Sequence, residues 1–495
     1  MEYASFRQIV LIPLELARQY ESRERILTNG YKKRICRMAI NAGSYRKGYD
    51  IFMHDELRRA NSRLPFSTYF SDIVRIGCAL AASKQEASNG ILSTHGFDEK
   101  TGAYKESELP EEYRNQKAEV IRIDPVKILK ANNIEIQYHF TDEDEMPDIG
   151  EILGYSEPDA KGFQSPKKDR TRNRAVLSKG LIPQRCANYI LWRESLDLDE
   201  GCKARTGVEL EYDMMQVAYF FIDAVYVAKQ EETHVKGGRK EEKKGKERIG
   251  HWNIRIEWDN DKSYVISCSD IDEMMKQTKA FLLENGLISR YFIFIIDGEQ
   301  RIFTAIESHF GKWEHKIYLD FSHAVKKIHD LLSNAIISKR VIDPQGETEY
   351  YVSGPKKGQA RKQPMTSLSM LYFRGAVQRL WMGNLAELRS YIKHIRPEHI
   401  AYPNYIDNLL TYFSDERKGR YITAYVMRQI VGLRNSSNAS EGVNNQIVAS
   451  IQKVGNKTYG QDGSYALAAL KAAEVNNEMN MYLDTGTTTF KHGID

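Results

Sequence analysis

The run Tyr219 to Val227 (YFFIDAVYV) is apolar on both faces of any strand it can form, apart from one carboxylate, Asp223. Aromatic and β-branched residues crowd this stretch, so it reads as a long buried strand. A buried strand needs covering layers, which points to an α/β architecture. An ionised group in such a strand is costly to bury unless it is paired or bound to a cation. Asp223 therefore calls for a partner that ordinary packing does not provide.

The neighbouring sequence extends the pattern. Val217 to Lys229 is the long buried strand, Trp252 to Trp258 (WNIRIEW) alternates as a half-exposed strand, and Ser263 to Ser267 (SYVIS) forms a third. Three consecutive strands are expected to pair antiparallel. Ile271 to Asn285 has helical spacing, Tyr291 to Ile296 is a short apolar strand, Arg301 to Phe310 is helical, and Lys316 to Leu319 is another strand. The order β-β-β-α-β-α-β is that of a ribonuclease-H-like core, a mixed sheet in which three antiparallel strands continue into parallel ones under helices.

Around this core the pattern predicts four regions. Residues 1–210 form a mostly helical, DNA-binding N-terminal region, and 211–338 the first part of the core, ending in a helix over Phe321 to Ile337. Residues 339–433 form an all-helical insertion, polar and loop-like from Ile342 to Pro364, then helical over Leu368 to His394 and Tyr405 to Leu433. Residues 434–495 complete the core, with Ser437 to Val454 opening the last strong helix. In the N-terminal region, helical patterns at Leu14 to Ala39 and Phe70 to Ala87 and the basic-aromatic stretch Tyr45-Arg46-Lys47-Gly48-Tyr49 fit either a helix-turn-helix DNA reader or plain packing.

A charged share of 28% argues against a membrane protein. The apolar run Ile9 to Leu16 is short and broken by Pro13 and Glu15, so it fits neither a signal peptide nor a spanning helix. The expectation is a cytoplasmic, nucleoid-associated protein with no membrane partner. Cys36, Cys78, Cys186, Cys202 and Cys268 are scattered without a C-x-x-C pair, which excludes a zinc finger or disulfide scaffold. Net charge is only +4, but bases bunch at Lys167 to Arg174, Lys236 to Arg248 and Lys356 to Lys362. Such clusters are solvated loops or phosphate contacts.

Two further acids stand out. Asp297 ends RYFIFIID, and Glu441 lies in SSNASEGVNN. Two aspartates at strand centres or ends and a later glutamate opening a helix are a donor set for two Mg²⁺ or Mn²⁺ ions, which prefer hard carboxylate oxygens. A metal pair about 3.5–4 Å apart serves phosphodiester cleavage and strand transfer. Each acid also has a plain structural reading. Asp297-Gly298 is an ordinary turn signal, and Asn438-x-x-Glu441 fits a helix capping box.

Over roughly residues 215 to 475 the chain resembles the DDE transposases of bacterial insertion sequences, relatives of the Mutator-like superfamily. The resemblance rests on FFIDAVYV, on FIIDGEQRI, on SNASEGVNNQI with its E-x-x-N spacing, and on Asp320-x-x-His323 in YLDFSHAVKKI. Ala224 stands where glycine is common after the first aspartate. The resemblance implies catalytic, metal-binding roles for Asp223, Asp297 and Glu441, with Asp320 and His323 auxiliary and Asp320 the main rival to Asp297. It also implies DNA contacts from Lys236, Arg239, Lys240, Lys243, Lys244, Lys246 and Arg248. In the insertion, Arg374, Arg379 and Trp381 are expected to hold phosphates and stack on a base, or else to form core. The implied partners are transposon ends and target DNA, bound by a homodimer or larger assembly.

Overall fold

Alternate residues of the central strand go to different cores, and this alternation organises the molecule. The structure, a computed structural model, describes residues 27–57, 64–115, 120–123, 208–211, 217–229, 247–259, 262–342, 354–359, 365–381, 383, 385–423, 425, 428, 434–435, 442–453 and 459–493. Among the described residues, helices α1 (Asn29–Asn41), α2 (Tyr45–Leu57) and α3 (Phe66–Thr94) come first. Strands β1 (Val120–Ile123) and β2 (Val208–Glu211) pair antiparallel with each other, and among the described residues with no other strand. The main sheet follows, built from β3 (Val217–Ala228), β4 (Arg248–Trp258) and β5 (Lys262–Cys268), then helix α4 (Ile271–Glu284), β6 (Tyr291–Ile296), α5 (Gln300–Phe310), β7 (His315–Leu319) and α6 (Phe321–Ala335).

The strand order is β5-β4-β3-β6-β7. β3, β4 and β5 are antiparallel neighbours, whereas β6 and β7 run parallel to β3. The expected mixed sheet, three antiparallel strands leading into parallel ones, is present with its elements in the expected order. Side-chain parity explains the layering. Phe220 and Ile222 of β3, with Ile254, Phe292 and Phe294, face a core shared with Phe281 of α4 and Ile306 and Phe310 of α5. Truncating any of these phenylalanines to alanine should cost about 3–5 kcal/mol. On the other face Tyr219, Phe221, Ile293, Ile295 and Tyr318 form a small cluster of strand residues.

Farther along β3, Val225 and Val227 join Ile249 and Val265 in a second core with α1, α3 and the helices that end the chain. The N-terminal helices thus share a core with the C-terminal ones. Tyr45 and Tyr49 of the basic-aromatic stretch are packing residues here, donating their hydroxyls to the carbonyls of Gly463 and Leu64 at 2.7 and 2.6 Å.

The insertion differs from its all-helical expectation. Its polar segment is bracketed by an antiparallel ribbon, β8 (Arg340–Ile342) and β9 (Met365–Ser367), where β-branched Val341 and Ile342 pair with Thr366 and Met365. The single helix expected over Leu368 to His394 is two, α7 (Leu368–Trp381) and α8 (Leu385–Lys393), parted around Gly383, whose φ is +72°. Helix α9 (Pro403–Tyr412) follows and ends well short of Leu433. Helix α10 (442–452, with a π turn over Asn445–Ala449) falls within the helix expected from Ser437. It is not the last helix, because α11 (Gln461–Val475) and α12 (Met479–Thr485) come after it. Helix α11 carries no amphipathic signal in the sequence because it is alanine-rich and buried on most of its surface, so it lacks a polar stripe.

Candidate carboxylate site

Asp223 follows Ile222 on β3, Asp297 follows Ile296 at the end of β6, and Ile222 and Ile296 are partners in the parallel register. The two aspartates therefore leave neighbouring strands, about 4.8 Å apart, at the same level of the sheet. Asp223 lies where the Phe221 cluster ends and the Val225 core begins. Its Oδ1 accepts the Ala224 N–H at 2.7 Å and its Oδ2 accepts the Asn444 side-chain amide. Burial and the Asp297 charge push this carboxyl up to about 6, against the pull of His323 and of those two donors.

Asp297 Oδ1 accepts the Glu299 N–H at 2.9 Å, so the turn expected after β6 is real. Gly298 has φ +94°, and a Cβ there would lie 2.9 Å from Leu319 Cδ1 and 3.2 Å from the Tyr412 hydroxyl. Only glycine suits this position. Glu299, on the same turn, is raised by burial and by Asp297.

Asp320 ends β7, is 1% exposed and caps α6. Its Oδ1 accepts the His323 N–H at 2.8 Å and meets the His323 Nδ1 at 3.2 Å. Burial opposes charge on His323, but Asp320, and beyond it Asp297 and Asp223, outweigh that opposition and hold the imidazole up at about 9. At neutral pH this favours the imidazolium form, at hydrogen-bond distance from the Asp320 carboxylate. Asp320, the rival to Asp297, is committed to its cap and to this pair.

Asn444 and Asn253 belong to the site although neither was singled out from sequence. Asn253 is the antiparallel partner of Asp223 across β3 and β4. Its Nδ2 donates to the Asn444 Oδ1 at 2.6 Å, which leaves the Asn444 amide nitrogen to donate to Asp223. No sequence signal marks Asn253, whose complete burial only the structure shows; for Asn444 the signal is the last position of the E-x-x-N spacing.

No family model, curated protein or solved structure matches the chain. The chemistry of the site is read from its own atoms. Among the described residues no group of three or more His, Cys, Asp and Glu side chains is placed to hold a metal ion. Glu441 lies outside the described residues, as do Lys236, Arg239, Lys240, Lys243, Lys244 and Lys246. Arg248 is exposed at the start of β4, opposite Ala228.

The insertion presents the site with residues other than those expected. Arg374, Arg379 and Trp381 are 6%, 4% and 5% exposed. Arg379 donates to the Gly375 carbonyl at 2.8 Å and lies over the Tyr391 ring, and Trp381 packs on Phe321. Contact of these three with DNA would require them to leave that packing. Tyr412 and Lys418 instead reach the Asp297 turn. Lys418 Nζ lies 3.3 Å from Gln300 Oε1 and 3.6 Å over the Phe303 ring. Burial draws the Lys418 ammonium down to about 8 although Asp297 favours its charge. Among the described residues no helix is long and apolar enough to cross a membrane.

Proposed function

We propose that the chain is a metal-dependent polynucleotidyl transferase of the DDE type, cutting DNA at transposon ends and joining the freed 3′ hydroxyl to target DNA. The observation that carries this reading is the in-register pair Asp223 and Asp297, with Asp223 pushed up to about 6 by burial and its neighbour. Such a pair is relieved by a divalent cation and supplies two hard oxygen ligands. The sheet order, three antiparallel strands continuing into two parallel ones, supports a ribonuclease-H-like core beneath it.

Asp223 and Asp297 offer the hard oxygen ligands that Mg²⁺ or Mn²⁺ prefers. Asp223 and Asp297 would hold the ions with Glu441, which stands three residues before Asn444 in the sequence. When bound, two such ions activate an attacking oxygen and offset charge on the leaving oxygen. The protein's own residues set up the rest. Asn444 and the Ala224 N–H orient the Asp223 carboxylate, the Glu299 N–H orients that of Asp297, and protonated His323 moderates their mutual repulsion. Joining two transposon ends calls for a dimer or larger assembly on DNA.

The test is cleavage and strand transfer on DNA carrying the element's ends, with and without Mg²⁺ or Mn²⁺, for the wild type and for Asp223→Ala, Asp297→Ala and Glu441→Ala. Loss of both reactions in all three folded variants, with DNA binding retained, supports the reading. Cutting without joining would make the protein a nuclease, and binding without cutting an inactive DNA binder.

A further inference from the structure

We propose that the turn running from Arg417 to Arg420, at the end of the helical insertion, is a phosphodiester-binding site on the rim of the aspartate pair. Arg417 and Arg420 would grip the DNA backbone there, and the identity of this polyanion as DNA rests on the function proposed above.

The turn is a closed, ordered feature. Lys418 N–H donates to the Tyr412 carbonyl at 3.2 Å, Gly419 N–H to Ser414 at 2.9 Å, and Tyr421 N–H to Lys418 at 3.1 Å. Its place beside the aspartates is set by Lys418, whose Cδ lies 3.9 Å from where a Gly298 Cβ would stand. The same side chain reaches Gln300 and Phe303, and the Tyr412 hydroxyl closes on Gly298 from the same side. Lys418 thus anchors the turn to the loop that carries Asp297.

The two arginines flanking this anchor point outward. Both are exposed, and among the described residues neither has an ion-pair partner. The Arg420 guanidinium lies 4.7 Å over the Tyr421 ring, which steadies its plane. Of the two acids beside them, Asp415 is held by Arg389 at 2.8 Å and Glu416 is exposed. Guanidinium forks match phosphate oxygens in pairs. A polyanion approaching two aspartates is repelled unless cations stand at the rim, and this turn supplies them. Arg374 and Arg379 cannot serve in their place because both are buried.

The experiment compares wild type, Arg417→Gln/Arg420→Gln and a charge-matched control, Lys100→Gln/Lys105→Gln. The control removes two exposed lysines from the loop whose Gly102 packs on His309, at the opposite end of α5 from Gln300. Duplex DNA binding is followed by fluorescence anisotropy across salt concentrations. Each lost phosphate contact should reduce the log-log salt slope by about 0.9. The arginine variant is expected to show a slope shallower by about 1–2 and weaker binding. The control should keep the wild-type slope, and Arg417→Lys/Arg420→Lys should largely restore it. An arginine variant that matches the control would overturn the site. The functional reading is judged separately by metal-dependent cutting: a wild type that binds but never cuts defeats that reading while the slopes still decide the turn, and a wild type without DNA affinity defeats both.

Discussion

The side-chain amide of Asn444 donates to Oδ2 of Asp223, tying helix α10 to the central strand across 221 positions of sequence. Asn253, opposite Asp223 on β4, fixes the orientation of that amide by donating to its oxygen. The first aspartate is thereby held by groups from two other elements. A charged acceptor in a buried place gains more from such donors than it would in water.

Asn444→Ala removes the donor to Asp223 and strands the Asn253 amide. The expected cost is about 1–3 kcal/mol in urea denaturation. The Asp223 carboxyl should also titrate higher than in the wild type, followed by its ¹³C carboxyl shift. An unchanged titration midpoint would show that the amide pair does not set the state of Asp223.

Asp223→Asn should stabilise the protein at pH 7 while abolishing its activity. The folded-state carboxyl, at about 6 against an ordinary 3.8, binds its proton more tightly than the unfolded chain does. Its contribution therefore falls as pH rises from about 4 to 6 and stays unfavourable above, by about 2–3 kcal/mol. The asparagine variant should lose that fall in thermal scans between pH 4 and 7. Mg²⁺ or Mn²⁺ at about a hundred times its dissociation constant should stabilise the wild type by about 2.7 kcal/mol and leave Asp223→Asn nearly unmoved. An equal gain in both proteins would place the cation elsewhere.

His323 should give the opposite pH signature. Held up at about 9 from an ordinary 6.5, its charge contributes stability that is complete below pH 6.5 and lost as pH rises through 9. Part of the group is exposed, so a loss of about 1–3 kcal/mol is expected. His323→Gln should be flat across that window in chemical denaturation. A variant that keeps the wild-type decline would assign it to another group.

Gly298→Ala would force a side chain into φ +94° and against Leu319. A destabilisation of about 1–3 kcal/mol is expected, with a larger relative loss of activity because the same turn carries Asp297. Normal cleavage by a destabilised but folded variant would show that the turn tolerates movement.

Much of the sheet was legible because its strands carry strong local signals. Tyr291 to Ile296 is apolar at every position and Trp252 to Trp258 alternates, so each announces its type; the second, expected half-exposed, is instead buried at every position but Arg255 because β3 and β5 flank it. Asp223 and Asp297 were legible for the same reason, as carboxylates in or closing apolar runs. The insertion was harder. Its ribbon strands are three residues each, too short for a period to show, and α11 is an alanine-rich helix without a polar face. For Arg374, Arg379 and Trp381 the sequence left DNA contact and core packing both open, and their burial decides for the core, whereas the base brought beside Asp297, Lys418, comes from the turn after α9.

By itself the sequence determined which segments are the strands of the main sheet, the order in which they follow one another, and which aspartates lie in or close them, because these depend on short-range periodicity and on the cost of burying charge. Tertiary structure alone decided that Asp223 and Asp297 stand side by side and that Asn444 and Asn253 hold one of them. It also decided that Lys418 anchors the turn after α9 to the loop that carries Asp297. Those relations depend on strand register and on contacts between residues far apart in the chain, which no local pattern encodes.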